Sequence, residues 1–314
     1  MTDQRGLSRA HFLRLLAAGG AAAFLGAPAR AAPPKTAAGR MITRAIPGTT
    51  EQLPIIGVGT WQTFDVGRDA AARAPLRQVL QILFDAGGSV VDSSPMYGPA
   101  EGVAGDLLAE MHARDRAFIA TKVWTSGRDE GIAQMRESMR RFHTDRIDLM
   151  QVHNLLDWRT HLKTLRGWKD DGTVRYIGIT HYTDSALPQL ADIIGREKID
   201  FVQLSYSLDD RAPEERLLPL CAERGTGVIA NRPFGQGGMF RRVRGKKLPD
   251  WAAEFDCRSW AQFFLKYLVA HPAMSCAIPG TGKPEHMTDN VQAGLGRLPD
   301  EKQRRQMAAY WDAL

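Results

Sequence analysis

The chain has 314 residues, 44% hydrophobic and 24% charged, enough to bury a large core as one large domain or two smaller ones. Its formal charge of +6 is partly local: the first 31 residues hold four arginines against one aspartate, which leaves about +3 for the rest. So mild a surplus argues against a nucleic-acid partner, and three cysteines far apart (Cys221, Cys257, Cys276), with no CxxC pair, argue against a disulfide framework or a zinc site.

The first element is an N-terminal segment. Arg5, Arg9 and Arg14 precede a small-residue apolar run from Leu15 to Pro28, and Ala29-Arg30-Ala31 has the A-x-A form of a signal-peptidase site. The run is shorter than the ~20 residues a spanning helix needs, so residues 1–31 are expected to be a cleaved signal that engages the export machinery and directs the protein to the periplasm. The stretch SRAHFLRLL resembles a twin-arginine signal with Ala10 where the second arginine belongs. The alternative is an uncleaved extension on a cytoplasmic protein.

From residue 40 the chain alternates. MITRAIPGTTEQLP, with Pro-Gly at its centre, predicts a β-hairpin outside the main pattern. Eight short apolar or β-branched runs follow, each succeeded by a helical pattern: IIGVGTW, SVVDS, AFIATKVW, IDLMQVH, RYIGIT, FVQLSY, GVIANRPF and SCAIPG. Leu76, Val79, Leu80 and Leu83 recur at i, i+3, i+4, i+7, as do Trp260, Phe263, Phe264, Tyr267 and Leu268 in a later helix, which marks core-facing stripes. Glycines in AERGTGVI and KDDGTVRYIGI stop helices before the next strand. Apolar strands alternating with helices predict a parallel sheet covered on its faces. Eight units, and no GxGxxG turn after the first strand, favour a (β/α)8 TIM barrel with an N-terminal β-hairpin, over residues 40–314, rather than a doubly wound sheet.

In such a barrel chemistry belongs to the C-terminal tips of the strands. Those tips present Asp92, Lys122, His153 and Gln203, with Tyr97 in the loop after the second run. A phenol titrates near ~10 and is a poor acid at neutral pH. An adjacent ammonium is expected to lower that value, with a carboxylate holding the cation in place. Asp92, Lys122 and Tyr97 are the residue types for such a relay, and His153 can hydrogen-bond a substrate oxygen. The set can move a proton at an oxygen that gains negative charge, and it lacks a strong nucleophile, so it suits carbonyl reduction with a cofactor supplying hydride. A barrel metallohydrolase using Asp92 and His153 lacks an H-x-H pair and further strand-tip carboxylates, so no metal is expected. The dense basic run RRVRGKK (residues 241–247) reads as a solvated loop face, or as a loop over a cofactor's pyrophosphate.

The ordered series GVGTW, VVDSSPMYG, ATKVW, QVHN, GITHY, VQLSYS and IPGTGKPEHMTDN resembles the aldo-keto reductase family, and the likeness runs from Ile42 to the C-terminus. The resemblance implies a catalytic tetrad of Asp92, Tyr97, Lys122 and His153, with Tyr97 as general acid/base. It implies that Thr180, His181 and Gln203 face the nicotinamide carboxamide and that Trp61 and Trp124 line the substrate pocket. It further implies cofactor contacts from Pro233, Phe234 and Gly235, and from Pro279, Gly280, Thr281, Lys283, His286 and Asn290. Thr180-His181 replaces the family's common Ser-Asn, and Asn231 stands where many members stack an aromatic on the nicotinamide, a place Phe234 is free to fill. Gly280 and His286 stand where NADP-preferring members carry lysine and arginine, so NADP(H) is expected to be preferred modestly, with NAD(H) usable. The implied substrate is a small carbonyl or alcohol. A cofactor-binding regulator or sensor on the same scaffold, with little turnover, is the alternative.

Overall fold

The computed structural model describes residues 39–314, so the signal and cleavage readings at residues 1–31 lie outside the described residues. The hairpin forms as expected, from β1 (Thr43–Ala45) and β2 (Gln52–Pro54), antiparallel with Arg44 opposite Leu53. Eight parallel strands follow: β3 (Val58–Gly59), β4 (Val90–Asp92), β5 (Phe118–Val123), β6 (Ile147–His153), β7 (Val174–His181), β8 (Phe201–Ser205), β9 (Gly227–Asn231) and β10 (Met274–Ala277). They pair in sequence order from β3 to β10. Bridges from Ile56 to Ala277 and from Gly59 to Gly280 join the two ends, so the sheet is a (β/α)8 barrel. The expected first strand is the shortest, two residues in place of the run IIGVGTW. Its glycines explain the close approach there: a Cβ at Gly57 would sit 2.7 Å from that of Val90, and one at Gly59 would sit 3.0 Å from Ile278 O.

The helices form where the patterns put them. Asp69 caps the helix Ala70–Asp85 by accepting from Ala71 N at 3.0 Å, and Leu76, Val79, Leu80 and Leu83 are its buried face. Ser259 caps Trp260–Val269 by accepting from Gln262 N at 3.1 Å, and every residue of that helix is buried except Trp260. Gly225 stops the helix Leu217–Arg224 with a left-handed φ of 66°. The three cysteines are free and buried. No helix among the described residues is long and apolar enough to cross a membrane.

Strand alternation sorts the barrel interior into layers. Val90, Phe118, Leu149, Tyr176, Phe201, Ile229 and Cys276 fill the lower interior, and Ile46 and Leu53 of the hairpin close it from below. Glu51 fastens that floor, accepting from Tyr176 Oη at 2.7 Å and pairing with Arg175. Further along the same inward faces, two residues beyond Val90, Ala120 and Leu149, the chemistry changes: Asp92 on β4 and Lys122 and Gln151, which are paired in register on β5 and β6, are polar. The apolar layer is therefore the base on which a polar layer rests.

Candidate active site

Lys122 is wholly buried and Asp92 nearly so. Lys122 Nζ donates to Asp92 Oδ1 at 2.7 Å and to Ser93 O at 2.6 Å. The other carboxylate oxygen, Asp92 Oδ2, accepts from Gln203 Nε2 at 2.7 Å and from Gln151 Nε2 at 3.3 Å. A carboxylate at a strand tip is thus balanced by one cation and two amides, which is what burial of its charge requires. Burial disfavours the Lys122 ammonium, but Asp92 first and Tyr97 second outweigh that cost, so Lys122 titrates above its ordinary value and stays charged.

Tyr97 lies over this pair, with Lys122 Nζ 5.2 Å from its ring centre. Here the structure corrects the expected direction of titration. Burial raises the Tyr97 phenol above 10.0, and the opposing pull of Lys122 does not overcome it. The phenol is held as the proton-bearing form, and the lysine limits how far its acidity is suppressed. His153 approaches edge-on, its ring centre 5.9 Å from that of Tyr97. Burial first, then Lys122 and His181, push His153 down to about 3, so its imidazole is neutral at physiological pH. Ser94 Oγ accepts from Met96 N at 3.4 Å and lies 2.9 Å from His153 Nδ1. The serine hydroxyl can donate to Nδ1, and in that tautomer the ring proton sits on Nε2.

A cavity of about 1030 Å³ opens above this cluster. Asp92, Tyr97, His153, Trp61, Thr180, Gln203, Pro233 and Phe234 line it, as do Gly280, Thr281, His286 and Asn290. The remaining expected residues sit beside the wall. Lys122 lies beneath the wall, and Trp124 stands on the rim with its ring 6.4 Å from that of His153. His181 is turned into its own loop, where Nδ1 accepts from Tyr182 N at 3.0 Å and Thr183 N at 3.2 Å. Gly235 contributes a left-handed turn, donating its N–H to Arg232 O, and Pro279 O accepts from Gly59 N in the barrel seam. Lys283 is exposed, outside the wall, at the N-cap position of the helix Pro284–Gln292, where its side chain makes no capping bond. Phe234 packs on Phe240 with ring centres 4.9 Å apart. Asn231 instead joins the polar layer, donating to Gln203 Oε1 at 3.4 Å and accepting from Ser205 Oγ at 3.1 Å. Of the basic run, Arg242 pairs with Asp209 and donates to Trp311 O, and none of residues 241–247 lines the cavity.

Sequence reasoning missed Gln151, Ser94 and Arg232. The first two stand two residues from His153 and from Asp92, so period-2 alternation could have found them. Arg232 left no such signal. It sits past the end of β9 with φ 49°, and its side chain enters the cavity.

The cavity is large enough for a dinucleotide, at the upper end of the ~300–1,000 Å³ range of small-molecule sites. Two of its features suit one: Asn154 Oδ1 is a buried acceptor on the wall with no partner, and Thr281, whose hydroxyl accepts from Lys283 N at 3.1 Å, lies beside a helix N-terminus, where anions are favoured. No group of three or more acidic, histidine or cysteine side chains suited to a metal occurs among the described residues.

A closed eight-stranded barrel with a buried Lys-Asp pair under a tyrosine and a neutral histidine defines a class of barrel oxidoreductases. The chain belongs to the aldo/keto reductase family, whose model matches residues 55–310, and it is an enzyme of that type. It is 28% identical over 246 residues to methylglyoxal reductase YeaE of Escherichia coli (strain K12), covering 76% of this chain and 84% of that protein. Among solved structures it resembles an aldo-keto reductase from Klebsiella pneumoniae in complex with NADPH, with 25% identity, a TM-score of 0.71, and 87% and 95% of the two chains covered. A structure of aldo/keto reductase from Klebsiella pneumoniae in complex with NADP and acetate also matches, at 25% identity and a TM-score of 0.70 over 84% and 94% of the two chains.

Proposed function

We propose that this protein reduces small aldehydes and ketones to alcohols, and runs the reverse reaction, with Tyr97 as the general acid/base. The observation that carries the reading is the Asp92-Lys122 pair buried beneath a protonated Tyr97 in the floor of a dinucleotide-sized cavity. A bound reduced nicotinamide supplies the hydride for the carbonyl carbon. Tyr97 gives its proton to the carbonyl oxygen, and Lys122 stabilises the phenolate left behind until solvent reprotonates it. Asp92 keeps the ammonium charged and in place. His153 donates from Nε2 to the same oxygen and, being neutral, adds no competing acid. Thr180, Gln203, Pro233, Phe234, Gly280, Thr281, His286 and Asn290 are the residues that would hold the cofactor. The test is oxidation of NADPH and NADH followed with a panel of aldehydes, and no aldehyde-dependent oxidation of either would overturn the reading.

Both nicotinamides are proposed as cofactors, with NADP(H) modestly preferred. The 2′-phosphate is the only difference between them, and neither Gly280 nor the His286 imidazole supplies the forked cation that recognises it strongly. Restoring a fork of donors with His286→Arg is expected to raise the preference for NADPH roughly ten- to a hundredfold, the worth of one charge-assisted bidentate contact. Dissociation constants for the two reduced cofactors measure this, and an unchanged ratio would show that the phosphate lies elsewhere.

Export is proposed for the N-terminal segment, on the arginines, apolar run and A-x-A sequence of residues 1–31. The mature chain is then expected to begin at Ala32, and Ala10→Arg is expected to increase export by the twin-arginine route. Intact-mass measurement on protein recovered from its own compartment checks this, and a Met1 terminus on soluble cytoplasmic protein would overturn it.

A further inference from the structure

Arg232 is a charged side chain on the cavity wall that the mechanism above does not use. The two carboxylates that line the same cavity are both engaged elsewhere. Asp92 is paired with Lys122, and Asp289 accepts from Ser259 Oγ at 2.7 Å and Gln262 Nε2 at 2.6 Å. No carboxylate of the described residues pairs with Arg232. Its guanidinium lies instead 4.2 Å from the ring centre of Tyr182 and 5.8 Å from that of Trp61, two half-exposed aromatics on the rim. Aromatic faces steady the planar group and leave its edge of N–H donors unspent, the edge that matches a carboxylate bidentately.

The backbone adds a second observation. Arg232 has φ 49°, a left-handed conformation that costs a non-glycine residue stability, and a turn closed by Gly235 N to Arg232 O at 2.9 Å holds it there. The positive charge also acts on the Tyr97 phenol, although burial dominates that group. The cation is therefore within electrostatic range of Tyr97. Trp61, Met96 and Tyr182 surround the approach with apolar surface, each about 40% exposed.

We propose that Arg232 selects carbonyl substrates that carry a carboxylate, whose apolar body rests on Trp61, Met96 and Tyr182 while the carboxylate meets the guanidinium edge. This rests on the reductase reading above. The same guanidinium chemistry would serve an anion from a second source, the pyrophosphate of the cofactor, and the experiment separates the two.

The test compares kcat/KM for 4-carboxybenzaldehyde and 4-methylbenzaldehyde, with NADPH affinity titrated by fluorescence on the same preparations. The ratio of the two kcat/KM values is expected to fall roughly ten- to a hundredfold in Arg232→Gln, the range for losing a charge-assisted bidentate contact, and to recover in part in Arg232→Lys, which keeps the charge without the fork. An unchanged ratio overturns the proposal. So does a uniform loss on both aldehydes accompanied by weakened NADPH binding, which would give the guanidinium to the cofactor. Should Arg232→Gln fail to fold, wild-type enzyme decides: added salt is expected to slow the carboxylated aldehyde selectively, and equal salt dependence of the two would overturn the assignment. Turnover of neither aldehyde by wild type would sink the reductase reading, and this assignment with it, whereas turnover without carboxylate discrimination sinks only the latter.

Discussion

Tyr97→Phe is expected to lower kcat for carbonyl reduction by roughly 10²- to 10⁴-fold, the usual contribution of a positioned general acid, while cofactor dissociation constants stay nearly unchanged. The substitution removes one hydroxyl from a ring that already packs against the core cluster, so the cavity keeps its shape. The pH dependence of the wild type follows from the same geometry. Burial holds the phenol above 10.0, so its protonated, proton-donating form persists through neutral pH, and the reduction rate is expected to fall only in alkaline solution. His153, depressed to about 3, is already neutral there and adds no break between pH 5 and 8. Steady-state rates from pH 5 to 11 measure both features. A Phe variant with wild-type turnover would remove Tyr97 from the chemistry, and a break near pH 6.5 would show that His153 titrates in water-like surroundings.

Lys122→Met is expected to damage the fold and the reaction together. Removing the cation leaves Asp92 in the barrel interior with only the amides of Gln203 and Gln151 for partners. An uncompensated buried charge of this kind costs about 3–5 kcal/mol. For a chain of this size that corresponds to a fall in melting temperature of roughly 5–9 °C. Turnover is expected to fall by roughly 10²-fold or more, because the phenolate left by proton transfer loses the ammonium that stabilises it and the phenol becomes a still weaker acid. Thermal unfolding and single-turnover reduction on the same preparation separate the two effects. A Met variant that melts like wild type would mean that the pair contributes nothing net to stability. One that melts lower yet turns over normally would confine Lys122 to a structural part.

Much of this was readable along the chain because barrel strands and helices are local patterns. Eight apolar runs separated by amphipathic helices imply one covered parallel sheet, and the tip of each strand is a fixed place in sequence, so Asp92, Lys122 and His153 could be located together before any fold was seen. Alternation, a purely local property, also puts Gln151 on the face of His153. Tertiary structure alone decided how the charges balance. Whether Lys122 lowers or burial raises the Tyr97 phenol is a contest between a Coulomb interaction and desolvation, and the depth of burial is set by the tertiary packing around the ring. Likewise Gln203, which sequence resemblance aimed at the cofactor, also donates an amide N–H to Asp92, a carboxylate 111 residues away on another strand. Arg232 is the extreme case. Its bare sequence context offers a solvated loop cation, and only the fold carries its side chain across the cavity mouth between Trp61 and Tyr182, because rim residues become neighbours through closure of the barrel rather than through any spacing in the chain.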